Sequence, residues 1–148
     1  MQPVARALLF PALFCALLAG SLPVQANDPL PESWKVYEEK YPPISIEQLT
    51  TLMANHNVTL IDANRTSTYQ SGHIPGALSL VELSAENSKL HLPRNRQKLI
   101  VVYCGGPQCA TWHKAADYAS VKGYKNIKHF KGGLKEWKAH GKDLETSL

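Results

Sequence analysis

With 148 residues, 44% of them apolar, the chain can bury one modest core and little more. Its net charge of +4 is spread thinly, with no basic run interleaved with aromatics. That excludes a dedicated nucleic-acid surface and leaves a mild attraction for small anions.

The first 26 residues read as a targeting segment. Arg6 is their only charge, Ala7 to Gly20 is apolar apart from Pro11, and Val24-Gln25-Ala26 has the small-x-small pattern that precedes a cleavage site. Pro11 weighs against a membrane-spanning anchor. Without a twin arginine the general export route is expected, to the bacterial periplasm, with no membrane attachment once the signal is removed. Cys15 goes with this segment and, following Phe14, lacks the small neighbour of a lipidation site. The rest of the chain keeps two cysteines, Cys104 and Cys109.

Residues 27–43 form a polar lead-in with Pro29, Pro31, Pro42 and Pro43 around Trp34 to Tyr37. It is expected to be an extended arm with at most one short helical turn, its aromatics packed on the domain. The domain proper is expected over 44–141. Ser45 and Gln48 make a capping box for a helix whose apolar face is Ile46, Leu49, Leu52 and Met53. Val58 to Ile61 reads as a short buried strand ending on Asp62, a carboxylate that caps the next turn or lines a site, capping being commoner. One helical turn over Thr66 to Gln70 stops at Gly72, and Ile74-Pro75-Gly76 has type II turn preferences. His73 has two readings, a catalytic base or a ring bonded to backbone that fixes the turn; the second is the commoner use. Ala77 to Leu80 is another short strand. Between 81 and 97 the pattern is weak: a short helix near Leu83 to Asn87, then a surface loop whose Arg94, Arg96 and Lys98 read as a solvated face.

Leu99 to Tyr103 is a continuous apolar run of the kind a central parallel strand uses. Gly105-Gly106-Pro107 breaks it, and Trp112, Ala115, Ala116 and Ala119 then recur at helical spacing. Cys104 thus falls where a strand gives way to a loop and a helix, so backbone N–H groups and the positive end of the helix dipole favour its thiolate. In an oxidising compartment a structural disulfide with Cys109 is the ordinary alternative, though it closes too short a loop to constrain the unfolded chain much. Gly123 as a helix stop, a strand over 126–130, a last helix after Gly132-Gly133 with Leu134 and Trp137 inward, and a polar, frayed tail over 142–148 complete the chain. The alternation predicts an α/β fold with a parallel-dominated central sheet and helices on both faces. Ligands of such sheets gather beyond the strands' carboxyl ends, where Asp62 and Cys104 both fall.

Asp62 and Tyr69, the string Gly72-His-Ile-Pro-Gly-Ala77, Val101-Val-Tyr-Cys104 with its loop and helix, and Gly132-Gly133 with Trp137 together resemble a single rhodanese-like domain, spanning about Ile44 to Gly141. The resemblance implies a three-layer fold and sulfurtransferase chemistry with neither cofactor nor metal. Cys104 would take sulfane sulfur from a small sulfur-containing anion such as thiosulfate, or from a protein persulfide. It would hold that sulfur as a persulfide and pass it to a thiol or cyanide. The backbone of Gly105, Gly106, Pro107, Gln108 and Ala110 would cradle the persulfide anion, with Asp62, Arg65 and His73 organising the site. Active members often carry an arginine in this loop; here no basic residue lies between Cys104 and His113, and the loop is about two residues longer. Efficient use of thiosulfate is thus unsupported by the loop itself, and Arg65 and Lys114 are the candidate replacements. Ala110 stands where related phosphatases need an arginine to grip an oxyanion, which argues against that hydrolysis. Cys109 could attack the persulfide, releasing sulfide and leaving a disulfide, or resolve an oxidised Cys104. A dithiol–disulfide redox or sulfur-relay module is therefore the second reading, and a non-catalytic domain with a structural bridge the third. A metal site of Cys104, Cys109 and His113 is weaker, its spacing being unusual for zinc.

Overall fold

The computed structural model describes residues 32–147; the expected signal segment with Cys15 lies outside them. Ten elements follow in order: α1 (Glu32–Lys40), α2 (Ile46–Ala54), β1 (Val58–Asp62), α3 (Thr66–Ser71), β2 (Leu78–Ser79), α4 (Leu80–Leu83), β3 (Leu99–Tyr103), α5 (Trp112–Val121), β4 (Ile127–His129) and α6 (Gly133–Ala139). The four strands form one sheet in the order β2-β1-β3-β4, every pair parallel. Asp62 is in register with both Ser79 and Tyr103, so the carboxyl ends of β1, β2 and β3 finish level.

β3 is apolar throughout because both its faces are covered. Ile100, Val102 and Cys104 pack toward Ala115, Ala116 and Ala119 of α5, with Tyr37 of α1 and Leu83 of α4 in the same cluster. Val101 and Tyr103 face the opposite cluster, with Ile46 and Leu49 of α2 and Leu134 and Trp137 of α6. The result is the three-layer α/β arrangement that alternating patterns predict. Ser45 caps α2 with the full capping box. The turn before β2 has Gly76 at φ 74° and closes with the Ala77 amide on the Ile74 carbonyl at 3.0 Å, as a type II turn requires. Gly123, at φ 91°, follows the end of α5.

Three segments differ from expectation. The lead-in is not an extended arm: Glu32–Lys40 is a nine-residue helix. Its four prolines fall outside those residues, where they do not interrupt the hydrogen-bond ladder. The helix is held from the side: Tyr37 meets Trp112 edge-on at 6.1 Å, Glu38 pairs with Lys131 at 2.7 Å, and just beyond it the Tyr41 hydroxyl donates to Asp117 at 2.9 Å. Pro43 then forms a parallel bridge to His129 of β4. The weak segment after β2 holds its helical turn earlier than expected, at Leu80–Leu83, because Ser79 ends the strand and caps that turn through the Glu82 amide. The tail, expected to fray, is docked. Glu145 bridges His73 through two backbone hydrogen bonds of 2.9 Å, Leu144 packs on Gly72, and the Trp137 indole donates to the Asp143 carbonyl at 2.8 Å. No helix among the described residues is long and apolar enough to cross a membrane.

Candidate active site

Cys104 is the first residue beyond β3 and is almost wholly buried, at 1% exposure. Its loop is fastened from below by α6, whose first free amides turn outward: Leu134 N–H donates to the Cys104 carbonyl and Lys135 N–H to the Gly105 carbonyl, both at 3.0 Å. This close approach is why Gly133 must be glycine. It sits at φ +54°, and a Cβ there would come 2.1 Å from the Cys104 carbonyl oxygen.

Within the loop, Cys109 N–H donates to the Gly106 carbonyl at 3.0 Å, folding the chain back so that Cys109 reaches Cys104. The two sulfurs form a disulfide, with Cα atoms 6.3 Å apart. The Thr111 side chain, at the N-cap of α5, makes no cap bond; its hydroxyl lies 3.1 Å from Cys109 Sγ instead. Pro107 has no N–H, and that of Cys109 is engaged. The amides of Gly105, Gly106, Gln108 and Ala110 have no protein partner among the described residues.

Asp62 ends β1 beside Cys104 and is fully buried. Its Oδ1 accepts from the Asn64 backbone and side-chain amides, both at 2.7 Å, closing a local turn, while Oδ2 has no partner. Burial pushes this carboxyl above its ordinary range, against the opposing pull of the Asn64 amides and the Tyr103 hydroxyl. The turn abuts the cysteine loop, since a Cβ on Gly105 would lie 3.6 Å from Asn64 Oδ1. Asp62 and the Gly105 end of the loop are thus brought together, with Asp62 holding the turn as the commoner reading had it.

His73 does not present a free base. Its Nδ1–H donates to the Tyr69 carbonyl at 2.8 Å, its ring stacks on Tyr69 at 3.8 Å, and Nε2 faces Glu145 at 3.8 Å. Tyr69 in turn donates to the Ala77 carbonyl, and Tyr103 accepts from the Ile74 amide at 3.0 Å, so the turn is fixed from both sides. Arg65 precedes α3, exposed and, among the described residues, without an ion pair. It lines a groove with Lys138 of α6, and that groove adjoins another containing Gly105 and Lys135. Lys114, the other expected source of positive charge, lines neither. The sequence reading missed Lys135 and Lys138, although their three-residue spacing after Gly132-Gly133 is a visible signal. It also missed His129, buried and stacked on Trp112 at 3.7 Å.

The sequence and the fold are similar to those of known proteins. Over 96 residues the chain is 28% identical to the thiosulfate sulfurtransferase GlpE of Pseudoalteromonas translucida, covering 88% of that protein. It is 29% identical over 102 residues to a tRNA uridine(34) hydroxylase of Photorhabdus laumondii, using 64% of this chain but spanning only 27% of that longer protein. The solution structure of the rhodanese-like domain of an Anabaena protein superposes with a TM-score of 0.55 at 26% identity, covering 72% of this chain and 80% of that one. The sequence profile of the rhodanese-like domain matches residues 45–140, from the α2 cap to the end of α6, and the chain therefore belongs to the rhodanese-like family.

Proposed function

We propose that the protein is a sulfurtransferase in which Cys104 carries the transferred sulfur. The observation that supports this most is the position of Cys104: at the carboxyl end of β3, in a glycine-rich loop in which the amides of Gly105, Gly106, Gln108 and Ala110 have no protein partner among the described residues, with α6 bonded to the loop from below. Such a loop suits a sulfur anion, because fixed N–H dipoles stabilise charge without reorganising.

The cycle starts from the dithiol, so a reducing partner must first open the Cys104–Cys109 bond, itself leaving as a disulfide. The Cys104 thiolate then attacks the sulfane sulfur of the donor. With thiosulfate, the bond between the two sulfurs of the donor breaks, sulfite departs with the electron pair, and Cys104 is left as a persulfide anion. An acceptor thiolate attacks the outer sulfur, leaves as a persulfide and returns Cys104 as a thiolate. A protein persulfide donor follows the same course with its thiolate as leaving group.

The disulfide favours a second reading. If Cys109 attacks Cys104 at the inner sulfur of its persulfide, hydrosulfide leaves and the disulfide returns, making the domain a dithiol–disulfide or sulfur-relay module. Mass spectrometry separates the two. The reduced protein, incubated with thiosulfate or a persulfide donor, should gain one sulfur in wild type and Cys109→Ser and none in Cys104→Ser. If wild type returns to the disulfide with sulfide released while only Cys109→Ser keeps the sulfur, the relay reading holds. No uptake by any variant overturns both. We also propose export to the periplasm through residues 1–26, a compartment in which a disulfide persists; cell fractionation with N-terminal sequencing should find a chain starting near Asn27 outside the cytoplasm.

A further inference from the structure

The two sulfurs of the disulfide differ in what surrounds them. Cys104 is 1% exposed and shares the core on the α5 side of β3 with Ile100, Trp112 and Ala115. Cys109 is only partly buried, and Pro107, Gln108 and Thr111 on either side of it are exposed. It lines none of the clefts beside α2, α4 and α6.

That asymmetry decides where the bond opens. In thiol–disulfide exchange a thiolate must reach the sulfur it attacks, and the other sulfur departs with the bonding pair. An attacker of Cys104 Sγ would have to displace the core around it, whereas an attacker of Cys109 Sγ meets the exposed edge of the loop. Attack at Cys109 also releases the better leaving group. Cys104 departs into a loop whose Gly105, Gly106, Gln108 and Ala110 amides have no protein partner among the described residues, ahead of α5. Such N–H groups and a helix N-terminus favour a thiolate.

Thr111 serves the second half of the exchange. A disulfide sulfur carries no proton, so the Thr111 hydroxyl, 3.1 Å away, is the donor to Cys109 Sγ, and no cap bond on α5 competes for it. The same contact strengthens when Cys109 leaves as a thiolate in its turn.

The surroundings of Cys109 also indicate the partner. Small molecules are held in concave sites. A sulfur on an exposed edge outside those clefts suits a protein surface, and a reductant with two thiols completes the exchange in one encounter.

We infer that Cys109 is the entry point for a protein dithiol that reduces the domain, and that Cys104 is the thiol released first. The attacking thiolate bonds to Cys109 Sγ as the Cys104–Cys109 bond breaks, and Cys104 keeps the electron pair. The partner's second thiolate then attacks the partner's own sulfur in the mixed disulfide, and Cys109 leaves as a thiolate. The domain gains two electrons and the partner becomes a disulfide. This step stands on the disulfide alone, whether or not Cys104 then takes up sulfur.

A thioredoxin with serine in place of its resolving cysteine is the trap. It is mixed with the purified, oxidised protein and quenched within seconds by acid and an alkylating agent. Peptide mapping by mass spectrometry should find the partner on Cys109 and the alkyl group on Cys104, in excess of the reverse by about tenfold or more. With the intact thioredoxin, Thr111→Val should prolong the mixed disulfide about fivefold, and Thr111→Ser should restore its lifetime. At equal thiolate concentration, thioredoxin should reduce the protein about tenfold faster or more than a small monothiol such as β-mercaptoethanol. An adduct mainly on Cys104, an even mixture, no adduct, or equal rates for the two reductants overturns the inference. An unchanged lifetime in Thr111→Val overturns the role of its hydroxyl. An adduct on Cys109, followed by no sulfur uptake from any donor, overturns the proposed function and leaves the entry point standing.

Discussion

At the scale of single residues, His129 has a consequence for stability that its position at the end of an edge strand hides. Burial, with Lys131 nearby, holds its pKa down to about 3, and its Nδ1 has no partner. In the unfolded chain the ring protonates near its ordinary value of about 6.5. The unfolded state thus binds more protons between those limits, so stability is complete above about pH 6.5 and falls as pH drops toward 3. The loss amounts to about 3–5 kcal/mol. Denaturant melts from pH 7 to pH 4 should show this slope, and His129→Phe, which keeps a ring against Trp112, should flatten it. Gly133→Ala should cost more than about 2 kcal/mol, because its Cβ meets backbone at Cys104 and its positive φ is strained for alanine. Asp62 acts through geometry. Asp62→Ala, which leaves the Asn64 amides without their acceptor, should cost about 1–3 kcal/mol in chemical denaturation, whereas Asp62→Asn keeps a carbonyl for them and removes a charge that burial disfavours.

At the scale of elements, legibility followed local signals. The capping box of α2, the unbroken apolar run of β3, the small-residue face of α5 and the type II turn are each written within a few residues, and each is in the structure. α1 and the tail were misread because their order comes from partners far along the chain. Tyr37 finds Trp112, Tyr41 finds Asp117, and Glu145 finds His73; neither composition nor period reports such pairings. The site divides the same way. Cys104, Asp62 and the turn-fixing His73 are legible from strand ends and turn chemistry, whereas Lys135 and Lys138 join the cysteine loop only once α6 docks beneath it. The docked tail makes a prediction of its own. Trp137→Phe keeps an aromatic ring but loses the indole bond to Asp143, and should cost about 1 kcal/mol. It should also raise hydrogen exchange at the Glu145 amide more than at β3.

At the scale of the whole molecule, the disulfide contributes little to the fold. It joins residues five apart, and closing so short a loop removes little chain entropy, about 2 kcal/mol. Reduction should therefore lower Tm by less than about 10 °C while leaving one cooperative transition. Circular dichroism melts with and without reductant measure this. A collapse of the fold on reduction would instead favour the purely structural bridge.

The two flanks of the domain bear on how the protein behaves alone in solution. Pro43 pairs with β4 at one edge of the sheet, and Glu145 pairs with His73 outside the four strands. The first covers backbone N–H and C=O groups of an edge strand that would otherwise invite a strand from a second molecule. The profile-matched region, 45–140, leaves out both pairings. A chain trimmed to it should keep its central layers yet self-associate, eluting from size-exclusion columns at increasing apparent mass as concentration rises. The segment ahead of the family boundary would then act as an edge guard for β4, and an affinity tag belongs on a linker beyond residue 147 rather than in place of that segment.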